Sequence, residues 1–251
     1  KGAKEIILLG QNVNAYKNKK QKLSDLILEI EKLNNVERIR YTTSHPRDMT
    51  DDLIDIYKYS KKLMPLVHLP VQSGSNRILN LMNRKHSINE YFKIFDSLKE
   101  LNSNIEFSSD FIIGYPGENK KDFNDTLNLI KKIKFINSYS FIFSPRPGTP
   151  AAKLKPVDNE IAKERLIQTQ SILASHQLNK NQSLLGKSIE VLVENKLTNQ
   201  SKYFGRNVFL NSVIFEGEEK YIGKLVNVKI TSVNRNTLFG KIEENKNVRV
   251  A

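Results

Sequence analysis

In "SSDFIIGYPGE" (residues 108–118) an acid, Asp110, stands in an apolar run that ends in a turn built of Gly114, Pro116 and Gly117. Glycine admits positive φ and lets a ligand approach the main chain, and a helix that follows offers free N–H groups to an anion or cofactor. The same letters also describe an ordinary tight turn, with Asn119 capping the next helix. Asp110 shifts the reading, because an acid in a strand buried on both faces must be paired or must face an open mouth. "VHLPVQSGSNRILNLMNRKHS" (67–87) adds Gln72, Ser73 and Ser75 around Gly74, donors and acceptors suited to a ribose or an adenine edge. His68 in that stretch is either a ligand or base, or an interior histidine satisfied by its neighbours. "TTSHP" (42–46) is similarly open: Ser44 and His45 line a mouth, or Pro46 simply ends a strand.

These tips need elements to hold them. "KEIILLG" reads as a strand, and "QKLSDLILEIEKLNN" sets Leu23, Leu26, Ile27, Ile30 and Leu33 on one helical face. "ERIRYTTS" is then a strand, "TDDLIDIYKYSKK" a helix opened by Thr50 with acids in its first turn, and "MPLVHLP" a strand. Ser87 and Glu90 form a capping box ahead of the helix carrying Tyr91, Phe95 and Leu98. Strand, helix and strand follow in "NIEFSSDFIIG", "NKKDFNDTLNLIKKIK" and "NSYSFIF". Strands spaced about 28 to 40 residues apart, with helices between them, imply parallel pairing through crossovers. A doubly wound sheet concentrates its site at one switch point, whereas a barrel gathers residues from every strand end. Every strand here ends in special residues, so the expectation is an open or truncated barrel over residues 1–183.

Beyond a long bridging helix, "DNEIAKERLIQTQSILASHQLNKNQ", the period changes to two. "KSIEVLVEN", "KYFGRNVFL", "SVIFEG", "KLVNVKITSV" and "TLFGKIEE" are short strands, expected to close into a small all-β barrel of the OB type over residues 184–247. In "YFGRN" and "NRNTLFGK", Tyr203, Phe204, Arg206 and Arg235 combine aromatics with guanidinium groups able to stack on unpaired bases. Phe204 and Phe239 are equally fit to be core residues, and alternation puts one of each adjacent pair inside.

The 251 residues carry a net charge of +13, which points to a polyanionic partner, although the many lysines, asparagines and isoleucines also fit an A/T-biased coding sequence. No cysteine is present, so disulfides, thiolate zinc sites and thiolate-held iron–sulfur clusters are excluded within these residues. Histidine spacing gives no metal motif, and no P-loop, GxSxG or GxGxxG pattern occurs. No apolar run reaches the roughly 18 residues of a membrane span. The chain reads as soluble, and its first residues, without methionine, read as those of a piece cut from something longer.

Taken together in this order, "LLGQNVNAY", "RIRYTTSHPRDMTDDLID", "VHLPVQSGSNRILNLMNRKHS", "SSDFIIGYPGE" and "SYSFIFSPRPGTPAA" resemble the radical SAM methylthiotransferases, and most closely the branch that acts on isopentenyladenosine in tRNA. The resemblance spans essentially the whole chain, and its C-terminal part is similar to that family's TRAM domain. It implies an α/β fold: a truncated open (β/α)6 radical SAM barrel without its first βα unit and cluster loop, then an OB-like TRAM barrel. It implies methylthiolation at C2 of N6-isopentenyladenosine next to the anticodon, by a cytoplasmic, monomeric enzyme with no membrane association. The cofactors implied are S-adenosyl-L-methionine and two 4Fe-4S clusters; the partners are a tRNA containing isopentenyladenosine, an electron donor and a sulfur source.

Carried over residue by residue, the resemblance makes Ile112, Gly114 and Gly117 part of the stretch packing against adenine. It puts Gln11 and Asn12 near the methionine amine, Gln72 and Asp110 facing the ribose, and Arg84 at the carboxylate or the substrate. Ser44 and Arg146 become mouth residues. The family's cluster cysteines are missing, so these residues alone are expected to be inactive. Two other branches share parts of the pattern, the threonylcarbamoyladenosine tRNA and the ribosomal-protein aspartate methylthiotransferases, and so would a non-catalytic RNA-binding module that kept this scaffold.

Overall fold

The computed structural model describes residues 2–198 and 201–243. Its first part alternates strands and helices: β1 (Glu5–Leu8), a short hairpin of β2 (Lys17–Asn18) and β3 (Gln21–Lys22), α1 (Leu23–Glu31), β4 (Arg38–Tyr41), α2 (Asp51–Tyr59), β5 (Leu66–His68), α3 (Asn76–Leu81), α4 (Ile88–Leu101), β6 (Glu106–Ser108), β7 (Asp110–Ile113), α5 (Lys120–Ile133) and β8 (Tyr139–Ile142). β1 pairs with β4, β5 with β6, and β7 with β8, all in parallel. Parallel bridges from Ile39 to Leu63 and from Gln72 to Phe111 join these pairs. β6 and β7 are one strand interrupted at Ser109. Strand neighbours in space are therefore neighbours in sequence, the winding of a barrel; a doubly wound sheet would reverse its order at a switch point. Among the described residues β1 has one strand partner, and Ile7 and Leu9 beside its other edge are 46% and 71% exposed.

Helices cover the outside. Ile39, Tyr41, Val67, Phe107, Phe111 and Ile113 meet Ile27, Leu53, Tyr91, Leu98, Phe123 and Ile130 in one core. The helix starts are specified locally. Ser87 Oγ accepts from Glu90 N at 3.2 Å while Glu90 returns a carboxylate to Ser87 N at 2.6 Å. Asn119 and Asp122 repeat the device at α5. The six-residue α3, capped by Ser75, was not resolved as a separate helix by the sequence pattern.

The 24-residue α6 (Asn159–Gln182) leads to β9 (Ser188–Lys196), β10 (Lys202–Asn207), β11 (Ser212–Glu216), β12 (Leu225–Val233) and β13 (Thr237–Ile242). These close into a barrel in the order β10-β11-β13-β12-β9 around Val191, Val193, Tyr203, Val213, Phe215, Val228, Ile230 and Leu238. On α6 the buried positions Thr169, Leu173, Gln177 and Asn181 fall four apart, on one stripe. The stripe turns polar where it reaches the small barrel. Gln177 Nε2 and Asn211 Nδ2 both donate to Asn181 Oδ1, at 3.0 and 3.1 Å, and Asn181 Nδ2 donates to the carbonyls of Asn234 and Arg235.

The two barrels meet through β4. Its side chains alternate, and with Ile39 and Tyr41 committed to the helix side, Arg38 and Arg40 turn the other way. Arg38 Nη1 donates to the Arg206 carbonyl at 2.8 Å, and its Nη2 meets Glu190 Oε1 at 3.1 Å. Arg40 donates to the carbonyls of Val208 and Asn207 and pairs with Glu5 at 3.1 Å. Asn137 Nδ2, just ahead of β8, donates to the Phe209 carbonyl at 2.6 Å. Arg38, Glu5 and Asn137 stand at amino ends of the parallel strands, so the small barrel docks opposite the strands' carboxyl ends. Burial lowers the pKa of Arg40, and Glu5 partly offsets this. Removing Arg40 leaves buried carbonyls and Glu5 without their donor, and such losses cost about 3 kcal/mol. Arg40→Ala is accordingly expected to destabilise the chain by about that amount and to split its melting into two transitions in calorimetry; one unshifted transition contradicts this interface.

Candidate functional site

Three consecutive strand ends leave the sheet in the same way. Thr43 after β4, Gln72 after β5 and Gly114 after β7 have φ of 62°, 72° and 71°. For glycine this is free; for a β-branched threonine and a glutamine the left-handed conformation costs roughly 1–2 kcal/mol each. The surrounding structure holds them there. Thr43 Oγ1 hydrogen-bonds the Gly10 carbonyl, and Val13 N donates to the Thr43 carbonyl at 3.1 Å. Gln72 N donates to the Asp110 carbonyl at 3.0 Å, and Ile112 N to the Gln72 carbonyl at 2.9 Å.

The loops after β1 and β4 are latched to each other. Asn14 Nδ2 donates to the His45 carbonyl at 2.9 Å and its Oδ1 accepts from His45 N at 2.8 Å; Asn12 Nδ2 donates to Asp48 at 2.6 Å. Among the described residues this leaves Asn12 Oδ1 buried without a partner, and Ser44, 6% exposed, with an unpartnered Oγ. His45 meets His86 edge-on, with ring centroids 5.3 Å apart. His86 is 7% exposed, and neither ring nitrogen has a hydrogen-bond partner among the described residues. Arg84, half-buried, stands close enough to His45 and His86 to help lower their pKa values, and makes no ion pair among the described residues. Burial lowers its pKa, with Asp110 opposing.

Asp110 faces His68, whose Nε2 lies 3.6 Å from Oδ2. On the other side of the ring, His68 Nδ1 lies 2.9 Å from Ser108 Oγ, which donates its hydrogen to the Asn137 carbonyl at 2.8 Å. Ile112, two residues on and on the same face as Asp110, packs with Tyr115, Phe143 and Met82. Ser44, Gln72, Arg84, Asp110 and Ile112 thus gather at the carboxyl ends, joined by His45, His68 and His86. Gln11 and Arg146 lie exposed in loops at the same end.

Other residues singled out in the sequence have a different use. Gly74 lies against α5 so closely that a Cβ would sit 2.5 Å from Thr126 Cα. Ser73 and Ser75 bond Thr126 and Asp122 at 3.3 and 2.7 Å. The "SGS" segment is a joint to a helix, not a ribose contact. The "GYPGE" turn is likewise clamped from outside. Gly114 N donates to Glu118 at 3.2 Å, its open face meets Ala162 of α6, and Gly117 packs on Leu81 and gives its carbonyl to Arg77. Glu118, 5% exposed, pairs with Arg165 at 2.7 Å; burial raises its pKa and Arg165 draws it back. Gly114 and Gly117 therefore shape the turn.

A groove of about 660 Å³ between α3, α4 and α5 is lined by Gly74, Ser75 and Asn119 among others, and its buried Asp122 is already taken by Arg77, Ser75 and Asn119. In the small barrel, Tyr203 is 4% exposed and belongs to the core, which corrects its assignment as a stacking residue. Its neighbour Phe204 is half-buried beneath Arg206, whose guanidinium lies 5.4 Å from the ring and 3.1 Å from Glu194. Arg235 is exposed in the β12–β13 turn. In the sequence, His86 is marked only by its nearness to Arg84 in "NRKH".

Residues 1–130 match the radical SAM superfamily, and residues 182–242 match the TRAM domain. This chain belongs to the radical SAM superfamily. It is 60% identical, over its whole length, to the tRNA-2-methylthio-N(6)-dimethylallyladenosine synthase of Pelagibacter ubique (strain HTCC1062), of which it covers 57%. It is 50% identical over 95% of its length to the synthase of the same name from Wolbachia pipientis subsp. Culex pipiens (strain wPip), of which it covers 56%. The chain thus spans just over half the length of these curated relatives. Coproporphyrinogen III oxidase from Escherichia coli, a radical SAM enzyme, shares the fold at a TM-score of 0.56 with 13% identity, over 94% of this chain and 58% of that one.

His86 also sets a pH dependence. Burial, then the charges of His45 and Arg84, pull its pKa from 6.5 down to about 4, so below pH 6.5 the unfolded chain takes up a proton that the folded chain refuses. Stability should fall as the pH drops from 6.5 toward 4. His86→Leu is expected to flatten that part of a urea-midpoint profile while leaving stability at pH 7 within about 1 kcal/mol of the parent. A parallel profile for both proteins contradicts the buried, neutral ring.

Proposed function

We propose that this chain forms the cofactor-facing and RNA-facing parts of a cytoplasmic enzyme that methylthiolates C2 of N6-isopentenyladenosine beside the anticodon of tRNA. The observation that carries this reading is the 60% identity, over the whole of this chain, to a synthase of that modification. The geometry agrees with a small polar ligand at the mouth. Buried, unpartnered oxygens on Asn12 and Ser44 and an ion-pair-free Arg84 are donors and acceptors without a protein partner, and such groups are costly unless something else satisfies them.

S-adenosyl-L-methionine fits this set. Arg84 would hold its carboxylate, Asn12 and Ser44 its polar groups, Gln72 and Asp110 the ribose, and Ile112 the adenine face. When bound it supplies an adenosyl group for hydrogen abstraction and a methyl group for transfer. Iron–sulfur clusters do not fit these residues: there is no cysteine, and no His, Cys, Asp or Glu cluster among the described residues could hold a metal. Cluster ligands must come from outside the 251 residues. What these side chains do is bind, orient and shield. The latch between the first two loops fixes Asn12 and Ser44, and the clamps on the "GYPGE" turn hold β7, with Asp110 and Ile112, in place. No helix among the described residues is long and apolar enough to cross a membrane.

The test is genetic and chemical. The full reading frame containing this sequence is placed in a bacterium lacking 2-methylthio-adenosines, and tRNA digests are read by mass spectrometry. The methylthio form of isopentenyladenosine should return, and Arg84→Ala should reduce it at least tenfold at equal protein level. Appearance of methylthiolated threonylcarbamoyladenosine instead, of a modified ribosomal aspartate, or of no modification from a well-expressed protein would each overturn the reading.

A further inference from the structure

The hairpin that follows β1 works against its own stability. Lys17 stands directly opposite Lys22 across the ladder, and Asn18 opposite Gln21. Like charges so placed repel. The tip is Lys19–Lys20, with Lys19 at φ 54°, a conformation that two-residue turns normally give to glycine, asparagine or aspartate. Asn18, one position earlier, is the residue that would have relieved the turn. All of residues 17–22 are exposed, and no apolar contact explains the arrangement. What the hairpin does achieve is density of charge, with four lysines in six residues.

Its placement is fixed. The chain reaches the hairpin from the carboxyl end of β1 through the segment latched to the loop after β4 by Asn12 and Asn14, and Lys22 anchors its exit on Asp52 at 2.8 Å. Three neighbouring carboxylates are engaged: Asp25 accepts from Lys22 N, Asp48 from Asn12 and Arg47, and Asp52 from Lys22 and Ser24. Lys17, Lys19 and Lys20 have no carboxylate within ion-pair distance among the described residues. Meanwhile the small barrel docks at the amino ends of the strands, a strand length or more away, and a four-residue strand is about 13 Å long. An RNA held only on that barrel would lack any grip where its base must enter.

We propose that the Lys17–Lys22 hairpin is a second RNA contact, gripping the phosphate backbone of the strand whose base enters the mouth. The inference rests on the tRNA reading above and adds a surface to it. Flexible lysines on an exposed tip suit phosphate oxygens, which position an RNA without reading its sequence.

The experiment compares three forms of this chain: the parent, Lys17→Gln/Lys19→Gln/Lys20→Gln, and a charge-matched control, Lys58→Gln/Lys120→Gln/Lys131→Gln, on the outer helices. Fluorescence anisotropy follows an anticodon stem–loop RNA through a KCl series. The hairpin variant should melt at or above the parent's temperature and lose about two units of the log–log salt slope, while the control keeps most of its slope. Equal slopes for the two variants overturn the proposal. So does a hairpin variant that keeps its RNA affinity but no longer binds vesicles of anionic phospholipid, which assigns the lysines to a membrane. If the parent itself shows no salt-dependent RNA binding, the tRNA reading falls as well.

Discussion

Two guanidinium groups inside a parallel barrel set the terms for the rest of this molecule. A closed barrel fills its interior with layers of branched aliphatic side chains. Here β4 turns Arg38 and Arg40 inward, fully or nearly fully buried, and their partners are main-chain carbonyls of a different domain. A buried cation without partners is untenable, so the interior of the larger barrel is complete only with the smaller one docked. Asn181 and Gln177 repeat the logic at the end of α6, where a linker would otherwise be free to swing. The distance between the mouth and the small barrel is thereby a property of the fold.

At the other end the mouth is held by outside bracing. Arg77 ties α3 to Asp122 and to the Gly117 carbonyl, Arg165 ties α6 to Glu118, and Gly74 lets α5 close on the loop after β5. These contacts leave Ser44, Gln72, Arg84, Asp110 and Ile112 gathered at the carboxyl ends of strands whose left-handed residues are fixed by neighbouring hydrogen bonds. A preorganised site needs such bracing, since side chains that bind a ligand must themselves be held in place.

Much of this was legible in the letters. Periodicity placed the strands and helices, the Ser87–Glu90 and Asn119–Asp122 boxes marked helix starts, and the special residue at every strand end identified a barrel. The ambiguities have physical causes. A glycine at positive φ looks the same whether it admits a ligand or a helix, and so "GYPGE" and "SGS" could not be told apart from cradles until Ala162 and Thr126 were seen against them. In "RIRY" the two alternating cations do not show what surrounds them; only the arrival of a second domain, more than 150 residues later, makes them an interior. Tyr203 and Phe204 differ by one residue and lie on opposite faces of β10, a choice of register that composition cannot make.

The most direct test of the whole account is a structure of this chain bound to an anticodon stem–loop carrying isopentenyladenosine. The account predicts the modified base at the carboxyl ends of the parallel strands, beside the residues assigned to the cofactor, with Arg38 and Arg40 still bonded to the Arg206–Val208 carbonyls. A base resting on the small barrel, turned away from the strand ends, or two domains parted with those arginines exposed, would contradict it.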